Sequence, residues 1–180
     1  MAGASVWLFT ALIVLVGLER LAELVVSNRN ARWSLDRGGV EVGRGHYLPM
    51  VVLHTGLLLG ALVEVWVRRP DTAAAFAGTM LALVLASQAL RWWCIATLGR
   101  QWNTRVIVVP GLPLVRRGPY RWLPHPNYVA VVVEGFALPL VHSAWITAVV
   151  FTVLNAVLLT VRIRTENTAL SRLALTAGTG

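Results

Sequence analysis

Hydrophobic and polar positions in this chain are organised in blocks, not in single helical turns. Five apolar runs stand out, at residues 6–26, 48–67, 73–95, 127–141 and 144–161. Long apolar runs of about twenty residues predict helices that cross a bilayer. The first begins with no basic stretch and is followed by no small-residue cleavage site, so it reads as a span and not as a cleaved leader. The fourth is shorter and carries Glu134 and Pro139. Only residues 139–143 separate it from the fifth, which predicts a tight antiparallel helical hairpin. The expected fold is therefore an all-α integral membrane protein with about five transmembrane helices, forming one domain over 1–180.

Composition supports that reading. Charged residues make up 13% of the chain against 57% hydrophobic, roughly half the charged share of a soluble domain. The mean hydropathy is +0.67. Net charge is +8, which by itself would suit a nucleic-acid binder. The distribution argues against one, because every basic residue is arginine and most lie between the apolar runs. Four fall in 27–47, six in 91–124 and three beyond residue 161, all on one side if there are five spans. The excess of arginine places that side in the cytoplasm. The single cysteine, Cys94, excludes an internal disulfide and reads as a small core residue. His46, His54 and His142 share no metal-ligand spacing and read as interfacial or core positions. The Gly-rich stretch 36–45 follows no strand and reads as a flexible connection.

Chemistry concentrates in the connection 98–128. It is too long for a turn, and five prolines stiffen it by fixing φ. Pro126 suits the first position of the fourth helix, with His125 at the cap. Free N–H groups there attract an anion. Asn127 and Glu134 share one helix face, and a carboxylate inside a membrane needs a cavity or a partner. On the fifth helix Asn155, Arg162 and Glu166 fall within about 40° of one another at 100° per residue. Arg162 and Glu166 are spaced for an i, i+4 ion pair. Glu19, Arg20 and Glu23 border the cytoplasmic end of the first span. Glu64 and Arg68 read as a plain ion pair at the outer end of the second.

Three strings then carry a resemblance: Leu-Gly-Arg-Gln-Trp-Asn at 98–103, Leu-Val-Arg-Arg-Gly-Pro-Tyr-Arg at 114–121 and His-Pro-Asn-Tyr at 125–128. With Arg-Ile-Arg-Thr-Glu-Asn at 162–167 they resemble the isoprenylcysteine carboxyl methyltransferase family. The resemblance implies a membrane enzyme using S-adenosylmethionine held in a cytoplasmic pocket, with a cofactor-binding core at about 95–172. Carried over, Leu114, Val115, Gly118 and Tyr120 line that pocket. His125, Pro126, Asn127 and Tyr128 hold the methionine end, and Glu166 lies near the ribose or amine. Arg162 faces a lipid-borne acceptor that enters between helices.

The chain departs from the family pattern at Pro124, Leu112 and Asn167, where Arg, His and a second acid are common. These departures bear on the acceptor more than on the methyl donor. The run 127–142 is similar to bacterial members that O-methylate alkylresorcinols or alkylpyrones, which implies a phenolic or pyrone lipid acceptor and a bacterial inner (cytoplasmic) membrane location. On this reading Arg162, Glu166 and Glu134 are the candidate catalytic residues, with Glu134 or Glu166 as base. Three alternatives remain: carboxyl methylation of a prenylcysteine-like substrate, a nicotinamide-dependent reductase of the sterol type, and a non-enzymatic protein binding anionic lipid.

Overall fold

The computed structural model describes residues 2–177 of the chain, with side chains over 5–169 and at Ser171. Five helices dominate it: α1 (Ala2–Leu35), α2 (Tyr47–Arg68), α3 (Ala74–Leu98), α4 (Pro126–Leu140) and α5 (Trp145–Ala177). Among the described residues, Arg44–Arg68, Ala74–Gln101 and Trp145–Ala169 are long and apolar enough to cross a membrane. The shorter α4 is equally apolar in character.

The core is built on small residues. Ala61, Ala137, Ala144 and Ala148 are fully buried among Val6, Phe9, Ile13, Val16, Val65 and Leu138. Small side chains let helix backbones approach closely where the surrounding lipid offers no hydrophobic drive. Gly135 belongs to the same device, since a Cβ there would run into the Phe151 ring. The α4–α5 hairpin turns at Ser143, which takes a left-handed φ of 54°.

Glu64 holds that hairpin down. Its carboxylate accepts the backbone N–H groups of Ile146 (3.1 Å) and Thr147 (2.8 Å) and the Thr147 hydroxyl (2.8 Å). These are unpaired donors of the first turn of α5, so Glu64 caps α5 from another helix. The expected pair with Arg68 forms at 3.5 Å, but Arg68 is largely exposed, and such pairs contribute little. Glu64→Ala is expected to cost about 1–2 kcal/mol, read as a lowered melting temperature in detergent, whereas Arg68→Ala leaves melting nearly unchanged.

Two regions differ from the sequence expectation. The stretch 36–45 is not a loose connection: β1 (Val40–Val42) pairs antiparallel with β2 (Val106–Val108), with Glu41 opposite Ile107. The helical fold thus carries one short ribbon, tying the first connection to the third. Second, α1 runs nine residues past the apolar stretch. Its extension has a polar face: Asn30 donates to the carbonyls of Gly99 (3.1 Å) and Trp102 (2.8 Å), and Ser27 meets the Thr104 hydroxyl at 2.7 Å. Both features fix the connection 98–128 over the helix ends.

Candidate active site

A cavity of about 1080 Å³ opens beneath that connection. Its size exceeds what most drug-sized ligands fill. One end is polar, with Asn103, Arg105, His125, Asn127, Tyr128, Arg162 and Glu166 in the wall. The other runs down among Gly17, Leu21, Val51, Leu58 and Leu59 of α1 and α2. Leu21 and Leu59 are also more than half exposed.

The connection is shaped to stand over this space. Trp102 is 2% exposed and anchors it. Gly118 has a φ of 56°, and a Cβ there would lie 2.5 Å from the Thr97 hydroxyl, so the loop approaches α3 closely only with glycine. Pro126 is buried at the first turn of α4. Leu114, Val115 and Tyr120 line the cavity, whereas Gly118 and Pro126 lie behind its surface and shape the backbone. The Tyr120 phenol is pushed up by burial and by the neighbouring Cys94 thiol, so it remains a neutral hydroxyl.

Arg162, Tyr128 and Glu166 form the centre of the polar end. The sequence spacing predicted a direct Arg162–Glu166 pair, but the phenol of Tyr128 stands between them. Arg162 Nε donates to the Tyr128 hydroxyl at 3.0 Å, and that hydroxyl donates to Glu166 Oε2. Arg162 also donates to the Thr104 carbonyl and reaches Met50 Sδ at 3.1 Å. It is 7% exposed and joins α5, α4, α2 and the connection. His125 stacks on the Tyr128 ring at 5.2 Å and contacts Asn167 Oδ1 at 3.2 Å. Asn155 is buried further along the same wall.

Glu134 is placed elsewhere. It does not line the cavity. Both of its oxygens accept from Arg20 Nη2 at 2.8 Å, and Oε2 also accepts from Arg91 Nη2 at 2.7 Å. Its lone pairs are committed to this buried cluster, so the geometry gives it a place in the fold and not that of a base. Sequence reasoning passed over Asn103, Arg91 and His54, all of which line the cavity. Asn103 closes the first of the resembling strings, which was the available signal.

Several buried polar atoms in the wall lack any hydrogen-bond partner: both amide atoms of Asn103, Asn127 Oδ1 and Trp102 Nε1. Orphaned groups of this kind cost about 1–3 kcal/mol each unless a ligand satisfies them. They mark the polar end as a place for a ligand rich in donors and acceptors.

The family comparison fits this arrangement. The sequence model of the isoprenylcysteine carboxyl methyltransferase family matches residues 80–172, just over half of the chain. The chain belongs to that family. It is a family of methyltransferases that generally use S-adenosylmethionine, which makes this protein a membrane methyltransferase and does not favour the nicotinamide-reductase reading. The match covers α4, α5 as far as residue 172, and the whole connection over the cavity. Two relatives extend over nearly the full length. The chain is 37% identical to the uncharacterized protein YpbQ of Bacillus subtilis (strain 168), across 91% of this chain and 95% of that one. It is 24% identical to an uncharacterized protein of Haemophilus influenzae, across 86% and 90% of the two chains.

Proposed function

We propose that the whole chain is one S-adenosylmethionine-dependent O-methyltransferase acting on a lipophilic phenol or pyrone. The observation that carries the donor is the set of unpartnered atoms on Asn103, Asn127 and Trp102 around a cavity large enough for a nucleoside. Asn103, Asn127 and His125 would hold its polar groups, with Leu114, Val115 and Tyr120 against its flat surfaces. When bound, that nucleoside supplies a methyl carbon on a positively charged sulfur, which the acceptor oxygen takes up as the carbon–sulfur bond breaks.

The chain's own residues then have definable work. The acceptor hydroxyl must lose its proton as its oxygen reacts. Glu166 Oε1, lying 3.9 Å from His125 Nδ1, receives that proton, while Oε2 stays bound to Tyr128. Arg162 stabilises the negative charge that develops on the acceptor oxygen, its guanidinium held in place beforehand by Tyr128 and Thr104. The walls exclude water and align the reacting atoms. The apolar arm between α1 and α2 receives the acceptor's hydrocarbon tail. The departures at Leu112, Pro124 and Asn167 support a phenolic or pyrone acceptor over a prenylated cysteine. With five spans in a bacterial inner membrane, the arginine distribution supports an orientation in which the polar end of the cavity faces the cytoplasm.

Calorimetric titration of the protein in lipid nanodiscs with S-adenosylmethionine and, separately, with NADPH tests the donor. Heat of binding is expected with the first alone. Binding of NADPH alone would overturn the reading. Mass spectrometry of lipids from cells with and without the gene then identifies the acceptor as the lipid that gains one CH₂ when the gene is present.

A further inference from the structure

Asn155 of α5 is 3% exposed and lines the cavity, yet its amide has no hydrogen-bond partner among the described residues. Its amide atoms are not sealed in, as those of Asn103 are, so the little surface they keep opens into the cavity. The residue lies six positions inside the apolar run that ends at 161, about 9 Å from that end. At this depth lipid offers an amide nothing to bond to, and polar side chains in a span mark function. Leucine would fill a similar space without that cost.

We infer that Asn155 hydrogen-bonds a hydroxyl on the hydrocarbon chain of the acceptor. This rests on the cavity being an acceptor site, as proposed above. The chemistry of the wall selects the group. A carboxamide offers N–H donors and a carbonyl acceptor, and a hydroxyl answers both from one atom. His54 of α2 lines the cavity too. Its ring meets Phe151, one turn before Asn155, edge to face with centroids 5.3 Å apart. His54 Nδ1 lies 2.8 Å from the Met50 carbonyl. A carbonyl only accepts, so Nδ1 carries the hydrogen and the neutral ring keeps Nε2 as an acceptor. A keto oxygen on the chain would accept from Asn155 but give nothing to its carbonyl or to His54.

The spacing from the reacting centre is set by one helix. Arg162, proposed above to face the methylated oxygen, follows Asn155 by seven residues on α5. The two positions therefore share a face and lie about 10 Å apart along the helix axis. Leu158 and Leu159 line the cavity between them. That gap is longer than one aromatic ring spans, so the second oxygen belongs to the chain and not to the ring. The acceptor class is thus a lipid whose tail carries a hydroxyl a few carbons beyond its ring.

The test uses long-chain alkylphenols of one length, either plain or with a single hydroxyl walked along the chain, in equilibrium binding to the full chain in nanodiscs. Wild-type protein is expected to prefer the isomer whose two oxygens lie about 10 Å apart, binding it about tenfold more tightly than the plain alkylphenol. Asn155→Leu is expected to bind the plain alkylphenol as tightly as wild type does and to show no preferred isomer. A flat series in the wild type would mean that water serves Asn155 equally well, and overturns the inference whether or not the variant folds. A preference that survives Asn155→Leu overturns it too. Titration of S-adenosylmethionine on the same samples separates the two readings. An isomer preference without binding of the nucleoside sinks the methyltransferase reading and leaves the chain site standing, and nucleoside binding with a flat series does the opposite.

Discussion

Arg162→Ala is expected to lower the turnover of methyl transfer by about 10² to 10³, the usual loss when one prepositioned donor to a developing oxyanion is removed. Arg162 is the side chain in the cavity wall that joins α5 to α4, α2 and the connection at once. Its loss leaves the Tyr128 hydroxyl with Glu166 alone and removes the Thr104 carbonyl's donor. Binding of S-adenosylmethionine is expected to fall only a few-fold, because the unpartnered amides of Asn103 and Asn127 are untouched. Single-turnover rates beside a calorimetric affinity separate the two effects. Arg162→Lys is expected to restore little, since one ammonium cannot reproduce a planar fork with three partners. A folded Arg162→Ala protein with normal turnover would remove Arg162 from the mechanism.

The largest effect on stability is expected at Glu134. Alanine there leaves the guanidinium groups of Arg20 and Arg91 without their shared carboxylate, at a cost of about 3–5 kcal/mol. Removal of one partner from a buried ion cluster is far worse than removal of the whole cluster, because the residual charges stay buried. Glu134→Ala should therefore be recovered in large detergent aggregates or melt far below the wild type. Adding Arg20→Met, Arg91→Met and Glu23→Gln to it, so that no unpaired charge stays behind from Glu23, should regain part of the loss. Thermal unfolding in a mild detergent measures both. A Glu134→Ala protein melting with the wild type would show that water, not the carboxylate, satisfies the two arginines.

Helices α2 to α4 and the start of α5 were legible in the sequence to within a few residues, because apolar length is a strong signal. The ends of α1 and α5 were not: α5 runs on to Ala177, past the apolar run that ends at 161. Residues 27–35 are polar, and what keeps them helical is the grip of Ser27 and Asn30 on a connection some seventy positions away. The β ribbon was equally hidden, since three-residue strands show no periodicity of their own. At the site, the polar stripe of Asn155, Arg162 and Glu166 was readable from helical spacing, and all three do line the cavity. Their connection through Tyr128 was not readable, because helix geometry says which residues share a face but not what a neighbouring helix inserts between them. Glu134 was recognisable as a carboxylate in need of a partner. Its partners lie 114 and 43 positions away, and no local pattern records them.

The matched family region starts at residue 80, yet Gly17, Arg20, Glu23, Met50 and His54 in the cavity wall all precede it. The cavity wall is thus drawn from both sides of that boundary. On the proposed reading, drift in the first stretch would reshape the apolar arm that takes the acceptor's tail while leaving the residues around the donor in place.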